Sequence, residues 1–253
     1  MPYETPYADP ALYDVVYSKI QEDIPFYVSL AAAARGPVLE VGCGTGRVLI
    51  PSLQAGADID GLDLDPGMLA HLQRKTRALG LEPRLVRGDM RDFTMPRRYG
   101  LVTLPFRTFM HMVTTDDQLR ALRCMREHLE PGGSLAFNLF YPSFDSLLAH
   151  EGQRRLSIEV AHPENGGPVA VYDISRYDRV NQQVRVEREI VEGPEGAPTR
   201  MTRAGFLLRW TYRFEMELLL RAAGFLRWTF HGGFDRRPLE KDTDEMLVLA
   251  WKD

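Results

Sequence analysis

Short apolar runs alternate with amphipathic segments from about residue 37 to residue 140. The runs are rich in aliphatic and β-branched residues, which predicts strands at 38–41, 58–63, 84–87, 101–105 and 134–140. Between the runs, apolar residues recur three or four positions apart, which predicts helices. Because strands that alternate with helices form parallel βαβ units, the sequence predicts an α/β fold with its binding site at the carboxyl ends of the strands.

Two of these helices carry clear signals at their ends. Asp65 is placed to cap one helix with Pro66 at its first position, and Gly80 is placed to end it. Thr115 and Gln118 have the spacing of a capping box at the start of another helix, which a Pro-Gly-Gly run ends. These predicted helix starts and stops show where the loops between strands and helices lie.

After residue 150 the pattern changes to a nearly strict alternation of apolar and polar residues. The alternation predicts antiparallel strands at 169–177, 184–191 and 199–210. A last helix at 212–223 precedes two more predicted strands, at 225–231 and 246–251. We therefore expect an antiparallel β insertion after the fifth strand of the parallel sheet.

The composition excludes several classes of protein. The chain has 253 residues, of which 31 are basic and 35 acidic, and a net charge of −4 provides no basic surface for nucleic acid. Its two cysteines and six histidines show no metal-ligand spacing, so we expect no metal site and no disulfide scaffold. The first residues lack a signal-peptide pattern and the longest nearly apolar run is short, which predicts a cytoplasmic protein with no membrane partner.

A glycine-rich loop follows the first predicted strand. Gly42, Gly44 and Gly46 come at intervals of two, whereas dinucleotide-binding loops read GxGxxG, and position 47 is occupied by Arg47. Glycines suit a loop whose backbone touches a ligand. Glu40, on the strand before the loop, suits a ligand that carries positive charge. An NAD-dependent reductase is therefore disfavoured, although it remains an alternative.

Four motifs in order resemble those of the class I S-adenosylmethionine-dependent methyltransferases. ExGxGxG at 40–46 is similar to the first motif of that family, and the segment 61–69, which contains Asp63, is similar to the motif after the second strand. The Gly-Asp-Met run at 88–90 resembles the adenine motif, and 129–133 resembles the segment before the fifth strand. The resemblance implies a Rossmann-like, mostly parallel seven-stranded sheet with helices on both faces.

The same resemblance implies roles for individual residues. Asp63 would accept hydrogen bonds from both ribose hydroxyls of S-adenosylmethionine, Asp89 would accept one from the adenine amine, and Met90 would cover the adenine ring. The remaining residues predicted to bind the cofactor are Tyr13, Glu40, Gly42, Cys43, Gly44, Gly46, Arg47, Leu64, Met68 and Phe106. Arg47 either pairs with the cofactor carboxylate or is a solvated arginine in the first turn of a helix.

Within the family, the chain resembles the small-molecule branch that contains glycine and amino-sugar N-methyltransferases, which inserts antiparallel strands after the fifth strand. The aromatic N-terminal segment and the residues that follow the fourth strand carry this resemblance, whereas Tyr99-Gly100 and Arg107 depart from the usual pattern. We expect a single methyltransferase domain over 1–253, divided into a helical lid segment (1–36), a cofactor-binding core (37–150), the insertion (151–211) and a C-terminal part that completes the sheet (212–253).

Methyl transfer needs little acid–base machinery, because the sulfonium methyl is already activated and the protein chiefly positions the acceptor. A base is required only if the attacking N or O carries a proton, and His111 is the best candidate. A lone histidine in an apolar stretch also fits a packed core residue. Tyr7, His111 and Tyr141 are expected to line the pocket for a small-molecule methyl acceptor.

Two alternatives to a small-molecule enzyme remain open. A macromolecular methyltransferase is disfavoured because the residues after the fourth strand read Leu-Pro-Phe-Arg, which lacks the Asn/Asp-Pro-Pro run of the adenine N6 and glutamine N5 enzymes. A non-catalytic S-adenosylmethionine-binding protein remains compatible with the sequence, since methyl transfer requires no diagnostic side chain. The sequence leaves open whether the protein is a monomer or a dimer.

Overall fold

The computed structural model describes residues 5, 7–140, 143, 145, 149–163, 166–194 and 198–253. Strands in these ranges are numbered in chain order: β1 (Val38–Val41), β2 (Ile59–Asp63), β3 (Leu85–Arg87), β4 (Tyr99–Leu104), β5 (Leu129–Phe140), β6 (Arg154–Ala161), β7 (Pro168–Asp178), β8 (Gln183–Glu192), β9 (Arg200–Arg209), β10 (Arg227–His231) and β11 (Glu245–Trp251).

A seven-stranded sheet has the order β3-β2-β1-β4-β5-β11-β10. Its pairs are parallel from β3 to β5, and β11 is antiparallel to both of its neighbours. The predicted mostly parallel sheet is therefore confirmed. The chain leaves β1 for β2 on one side and returns to β4 on the other, which opens a crevice at their carboxyl ends.

Helices cover both faces of this sheet, as expected. They are α1 (Pro10–Val16), α2 (Ile24–Ala33), α3 (Leu49–Gln54), α4 (Pro66–Ala78), α5 (Thr115–His128) and α6 (Arg213–Ala222), and a 3-10 turn spans Thr108–His111. Residues of α5 and α6 belong to one buried apolar cluster, and residues of α2, α3 and α4 belong to a second cluster. No helix in the described ranges is long and apolar enough to cross a membrane.

The predicted N-terminal cap is right for α4 and wrong for α5. Asp65 accepts hydrogen bonds from the backbone N–H groups of Gly67 and Met68, so it caps α4 as expected. For α5 the cap is Thr114 and not Thr115, because the Thr114 hydroxyl accepts from the N–H of Asp117 at 3.1 Å. The predicted partner in the capping box, Gln118, is instead fully buried.

A separate four-stranded sheet of the order β6-β7-β8-β9 forms the antiparallel insertion. The sequence indicated three of these strands and missed β6, most of whose residues are exposed. Apolar residues on the inner face of this sheet pack against α1 and form a third buried cluster. The insertion thereby holds the N-terminal helix beside the carboxyl ends of the parallel strands.

Candidate functional site

A cavity of about 580 Å³ lies at the carboxyl ends of β1, β2, β3 and β4, within the range of roughly 300–1,000 Å³ typical of small-molecule sites. It brings together eleven of the residues predicted from the sequence. Seven follow β1, β2 or β3: Gly42, Gly44, Asp63, Leu64, Met68, Asp89 and Met90. Four come from the N-terminal segment or follow β4: Tyr7, Tyr13, Phe106 and His111.

A smaller cavity of about 40 Å³ shares Tyr13, Gly42, Gly44 and Phe106 with the large one. Its lining adds three more predicted residues, Glu40, Cys43 and Arg47. Tyr141, predicted for the acceptor pocket, lies outside the described residues. In the part of the chain that the structure describes, no group of three or more His, Cys, Asp or Glu side chains could hold a metal ion.

Asp63 ends β2 and orients the glycine-rich loop. Its two carboxylate oxygens accept from the backbone N–H groups of Gly44 at 2.7 Å and Asp65 at 2.9 Å. Burial raises the pKa of Asp63, and these N–H groups oppose that effect. A carboxylate oxygen has two acceptor positions, so each oxygen keeps one for a ligand. The residue can therefore accept from two neighbouring hydroxyl groups.

Glu40 lies in β1 with its side chain fully buried, and its Oε2 atom has no hydrogen-bond partner. Burial raises the pKa of Glu40 to about 8, although the nearby Arg47 opposes that shift. An unpaired polar atom removed from water is costly. A cationic group placed in the adjoining small cavity would relieve that cost, as expected for the ammonium group of an amino acid.

Arg47 is not a solvated arginine. Its guanidinium forms two hydrogen bonds of 2.6 and 2.7 Å with the carboxylate of Asp23, a buried residue that precedes α2. The same guanidinium lies 4.4 Å from the centre of the Phe106 ring. A cofactor carboxylate would therefore have to compete with Asp23 for Arg47. The position of Asp23 next to the site was not predicted from the sequence.

Gly46 lines neither cavity. Its φ of +86° lies in the left-handed region, and a Cβ atom there would come 2.3 Å from Leu72 Cδ1 of α4. The glycine is required because the loop packs tightly against α4 and because its backbone is left-handed. Among the three predicted glycines, Gly42 and Gly44 face the cavity, whereas Gly46 supports them.

Asp89 follows β3 and is already engaged by a neighbour. Its Oδ1 accepts from the backbone N–H and the Nε of Arg91, both at 2.9 Å, and its Oδ2 accepts from a terminal nitrogen of Arg91 at 2.6 Å. The Arg91 guanidinium holds the pKa of Asp89 below its usual range. Arg91 also contacts Asp117 of α5 at 3.2 Å. Arg91 was not predicted as a site residue, although its place two residues after Asp89 was a signal.

Tyr7 and His111 meet in the lining of the large cavity. The Tyr7 hydroxyl lies 2.7 Å from His111 Nε2. Burial lowers the pKa of His111 to about 4 and raises the pKa of Tyr7 above its usual value. Both groups are therefore neutral at physiological pH, and the pair can exchange hydrogen bonds with a polar ligand.

The lid segment is tied to the site through Asp14 of α1, whose part the sequence did not reveal. One carboxylate oxygen accepts from the Thr45 hydroxyl in the glycine-rich loop at 2.5 Å. The other lies 3.0 Å from His71 Nε2 and accepts from Lys75 at 2.7 Å. Tyr17, at the end of α1, packs edge-on against Phe106 and accepts a hydrogen bond from Arg188 of the insertion.

The residues after β4 form a strained turn. Phe106 and Arg107 have φ values of 60° and 64°, in a region that residues other than glycine rarely adopt. Arg107 is held by two hydrogen bonds to Glu245, at 2.9 and 2.6 Å. This ion pair accounts for the unusual arginine at position 107, because it fixes the turn that places Phe106 in the cavity wall.

Comparisons with known proteins show which proteins the chain is similar to. A sequence profile described as a methyltransferase domain matches residues 38–133. The chain is 32% identical, over 138 residues, to the dTDP-3-amino-3,4,6-trideoxy-alpha-D-glucopyranose N,N-dimethyltransferase of Streptomyces venezuelae, an alignment covering 52% of this chain and 56% of that protein. It is 28% identical over 212 residues to the cypemycin N-terminal methyltransferase of Streptomyces sp, covering 84% of this chain and 81% of that one.

The solved structures extend the similarity over the whole chain. The crystal structure of DesVI from Streptomyces venezuelae superimposes with a TM-score of 0.76 and 26% identity, over 99% of this chain and 100% of that one. The fold, the glycine-rich loop and these similarities together support a class I S-adenosylmethionine-dependent methyltransferase. Within that family it resembles the amino-sugar N-methyltransferases.

Proposed function

We propose that this protein transfers a methyl group from S-adenosylmethionine to a nitrogen atom of a small metabolite. The observation that carries the proposal is one continuous cavity that is lined by Asp63, by Asp89 and by the Tyr7–His111 pair. The two relatives named above methylate nitrogen, in an amino sugar and at a peptide N-terminus, and they support nitrogen rather than oxygen as the acceptor atom.

The residues present fit the cofactor. Asp63 would accept from the ribose hydroxyls, Asp89 from the adenine amine, and the unpaired oxygen of Glu40 from the ammonium group. S-adenosylmethionine, when bound, supplies an activated methyl group on its sulfonium. Gly42 and Gly44 of the loop line the cavity, and Tyr13 of α1 lines it as well and would cover the ligand.

His111 contributes position rather than proton removal in this proposal. A base with a pKa of about 4 is a poor acceptor for the proton of an alkylammonium group, since catalytic bases work best near the operating pH. A neutral imidazole next to the Tyr7 hydroxyl can instead hold an uncharged amine by hydrogen bonds, with its lone pair free for attack. The acceptor would thus enter as the free amine and lose its proton to solvent after transfer.

Assays of methyl transfer test the proposal. We expect the purified protein to bind S-adenosylhomocysteine in calorimetry with a dissociation constant in the micromolar range, about −8 kcal/mol. Incubation with S-adenosylmethionine and a panel of amino sugars, amino-sugar nucleotides and peptides should yield products methylated on nitrogen by mass spectrometry. Binding of NADH without S-adenosylhomocysteine, or methylation on oxygen alone, would contradict the proposal, and cofactor binding with no acceptor in any class would favour a non-catalytic protein.

The role of His111 is tested with two variants. Tyr7→Phe and His111→Gln should each lower turnover about tenfold with cofactor affinity nearly unchanged, and the double variant should lose little more, because both remove the same hydrogen bond. The rise of rate with pH should follow the pKa of the acceptor amine when the acceptor is changed. If the rate instead rises around the same pH for every acceptor, and this rise is absent in His111→Gln, then His111 is the base.

A further inference from the structure

Arg91 lines the same cavity as Asp89. Its side chain lines the cavity and bridges two carboxylates from different elements, Asp89 after β3 and Asp117 in the first turn of α5. The contact with Asp89 is bidentate, through the Nε and one terminal nitrogen. A planar guanidinium paired in this way fixes the rotation of the carboxylate as well as its charge.

The hydrogen bonds leave Asp89 one free acceptor position. Oδ1 accepts two bonds from Arg91, one from its backbone and one from its side chain, and both lone pairs of that oxygen are used. Oδ2 accepts one bond from Arg91, so one lone pair remains. A ligand group that meets this carboxylate is therefore presented with a single acceptor in a fixed direction and with no donor.

We infer that Arg91 is a specificity-determining positioning residue, which orients the free lone pair of Asp89 so that the site selects a purine bearing an amine at position 6. The inference rests on the proposed function and concerns recognition of the base rather than transfer of the methyl group. A 6-oxo purine would direct a carbonyl oxygen at the same lone pair, and two acceptors cannot bond. Without Arg91 the carboxylate could rotate, so that adenine would lose its fixed acceptor and hypoxanthine would meet less repulsion.

Calorimetric titration with S-adenosylhomocysteine and with S-inosylhomocysteine tests this inference without any turnover. We expect the parent protein to prefer the adenosyl ligand by at least tenfold, and Arg91→Met to reduce the ratio of the two dissociation constants by about fivefold or more. Arg91→Lys, which keeps the charge but loses the bidentate geometry, should restore the ratio in part. Asp117→Ala is the matched control, because it removes the second anchor and leaves the Arg91–Asp89 pair intact, and it should change the ratio by less than twofold.

The outcomes separate this inference from the proposed function. If the parent protein binds neither ligand, the proposed function is wrong. If the parent binds S-adenosylhomocysteine and Arg91→Met weakens both ligands by the same factor, Arg91 has only a structural role and the inference is wrong. Thermal unfolding shows whether each variant is folded. If Arg91→Met is unfolded, the ratio of the two dissociation constants for Arg91→Lys tests the inference in its place.

Discussion

Asp63 and Glu40 are both carboxylates at the ends of neighbouring strands, but their surroundings differ. Asp63 is held by two backbone N–H groups of the loops it joins, whereas one oxygen of Glu40 has no partner. Hydrogen-bond donors favour the ionised form of a carboxylate, whereas burial without donors favours the protonated form. The two acids are thus suited to different parts of one ligand, hydroxyl groups for Asp63 and a cation for Glu40.

Replacing Asp63 should weaken cofactor binding. We expect Asp63→Ala to reduce the affinity for S-adenosylhomocysteine by about 1.5 to 3 kcal/mol, because the ribose hydroxyls lose a charged acceptor. Asp63→Asn should cause a similar loss, because its amide nitrogen would face the N–H of Gly44 or Asp65. Calorimetry on both variants, with thermal unfolding as the control for folding, measures this. Parent-like affinity in both folded variants would show that Asp63 does not bind the ribose.

Glu40 should release a proton when the cofactor binds. Its pKa of about 8 keeps it largely protonated at pH 7, and an ammonium group beside it would favour the carboxylate. Binding enthalpies measured at pH 7 in phosphate and in Tris should therefore differ, since the buffers take up the released proton with different enthalpies. Glu40→Gln should abolish the difference. Equal enthalpies for the parent protein in both buffers would mean that Glu40 does not change its protonation state.

At the scale of elements, α1 is linked to the cofactor loop by one side chain. Asp14 joins the helix to Thr45 of the glycine-rich loop and to His71 and Lys75 of α4. The helix has seven residues and is too short to be stable alone, so its position depends on such contacts and on its packing against the insertion. A change in the position of α1 should therefore change the position of the glycine-rich loop.

Removing the Asp14 carboxylate should loosen the lid. We expect Asp14→Ala to raise the hydrogen-exchange rate of residues 10–16 and to weaken binding of S-adenosylhomocysteine several-fold, because three side-chain contacts are lost together. Lys75→Met is the matched control, since it removes one contact and should have a smaller effect. Exchange rates that do not change in Asp14→Ala would show that packing alone positions the helix.

The predicted elements differ from the observed ones at the cap of α5 and at β6. The cap of α5 is one residue earlier than predicted because Thr114 and Thr115 are chemically alike, and only the fold shows which hydroxyl reaches the N–H of Asp117. Strand β6 was not predicted, although its apolar residues alternate with polar ones over 156–160 and Val160 is buried. Strands β1, β2 and β4 of the parallel core are mostly buried, so their apolar runs were visible in the sequence.

At the scale of the whole molecule, two buried groups make opposite contributions to the dependence of stability on pH. His111, with its pKa lowered to about 4, stays neutral in the folded state, so stability is lost as the pH falls through 6.5 towards 4. Glu40, with its pKa raised to about 8, keeps its proton in the folded state, so stability is lost as the pH rises through 4.5 towards 8. The two effects largely cancel between neutral and mildly acidic pH.

Variants should separate the two contributions. Between pH 7.5 and pH 5, we expect the free energy of unfolding of Glu40→Gln to fall by about 2 kcal/mol and that of His111→Gln to rise by about 3 kcal/mol, while the parent protein changes little. Urea unfolding at the two pH values measures these differences. The same pH dependence in all three proteins would mean that neither group has a shifted pKa in the folded state.

The parallel sheet, the glycine-rich loop and the positions of Asp63 and Asp89 could be predicted from the sequence, because buried strands and the residues directly after them are specified by local pattern. The side chains that meet across the site could be identified only from the folded chain. Tyr7 and His111 are separated by 104 positions, and Arg47 and Asp23 by 24. Such pairs depend on how the lid, the loop and the strand ends pack together, and neither periodicity nor spacing along the chain records that packing.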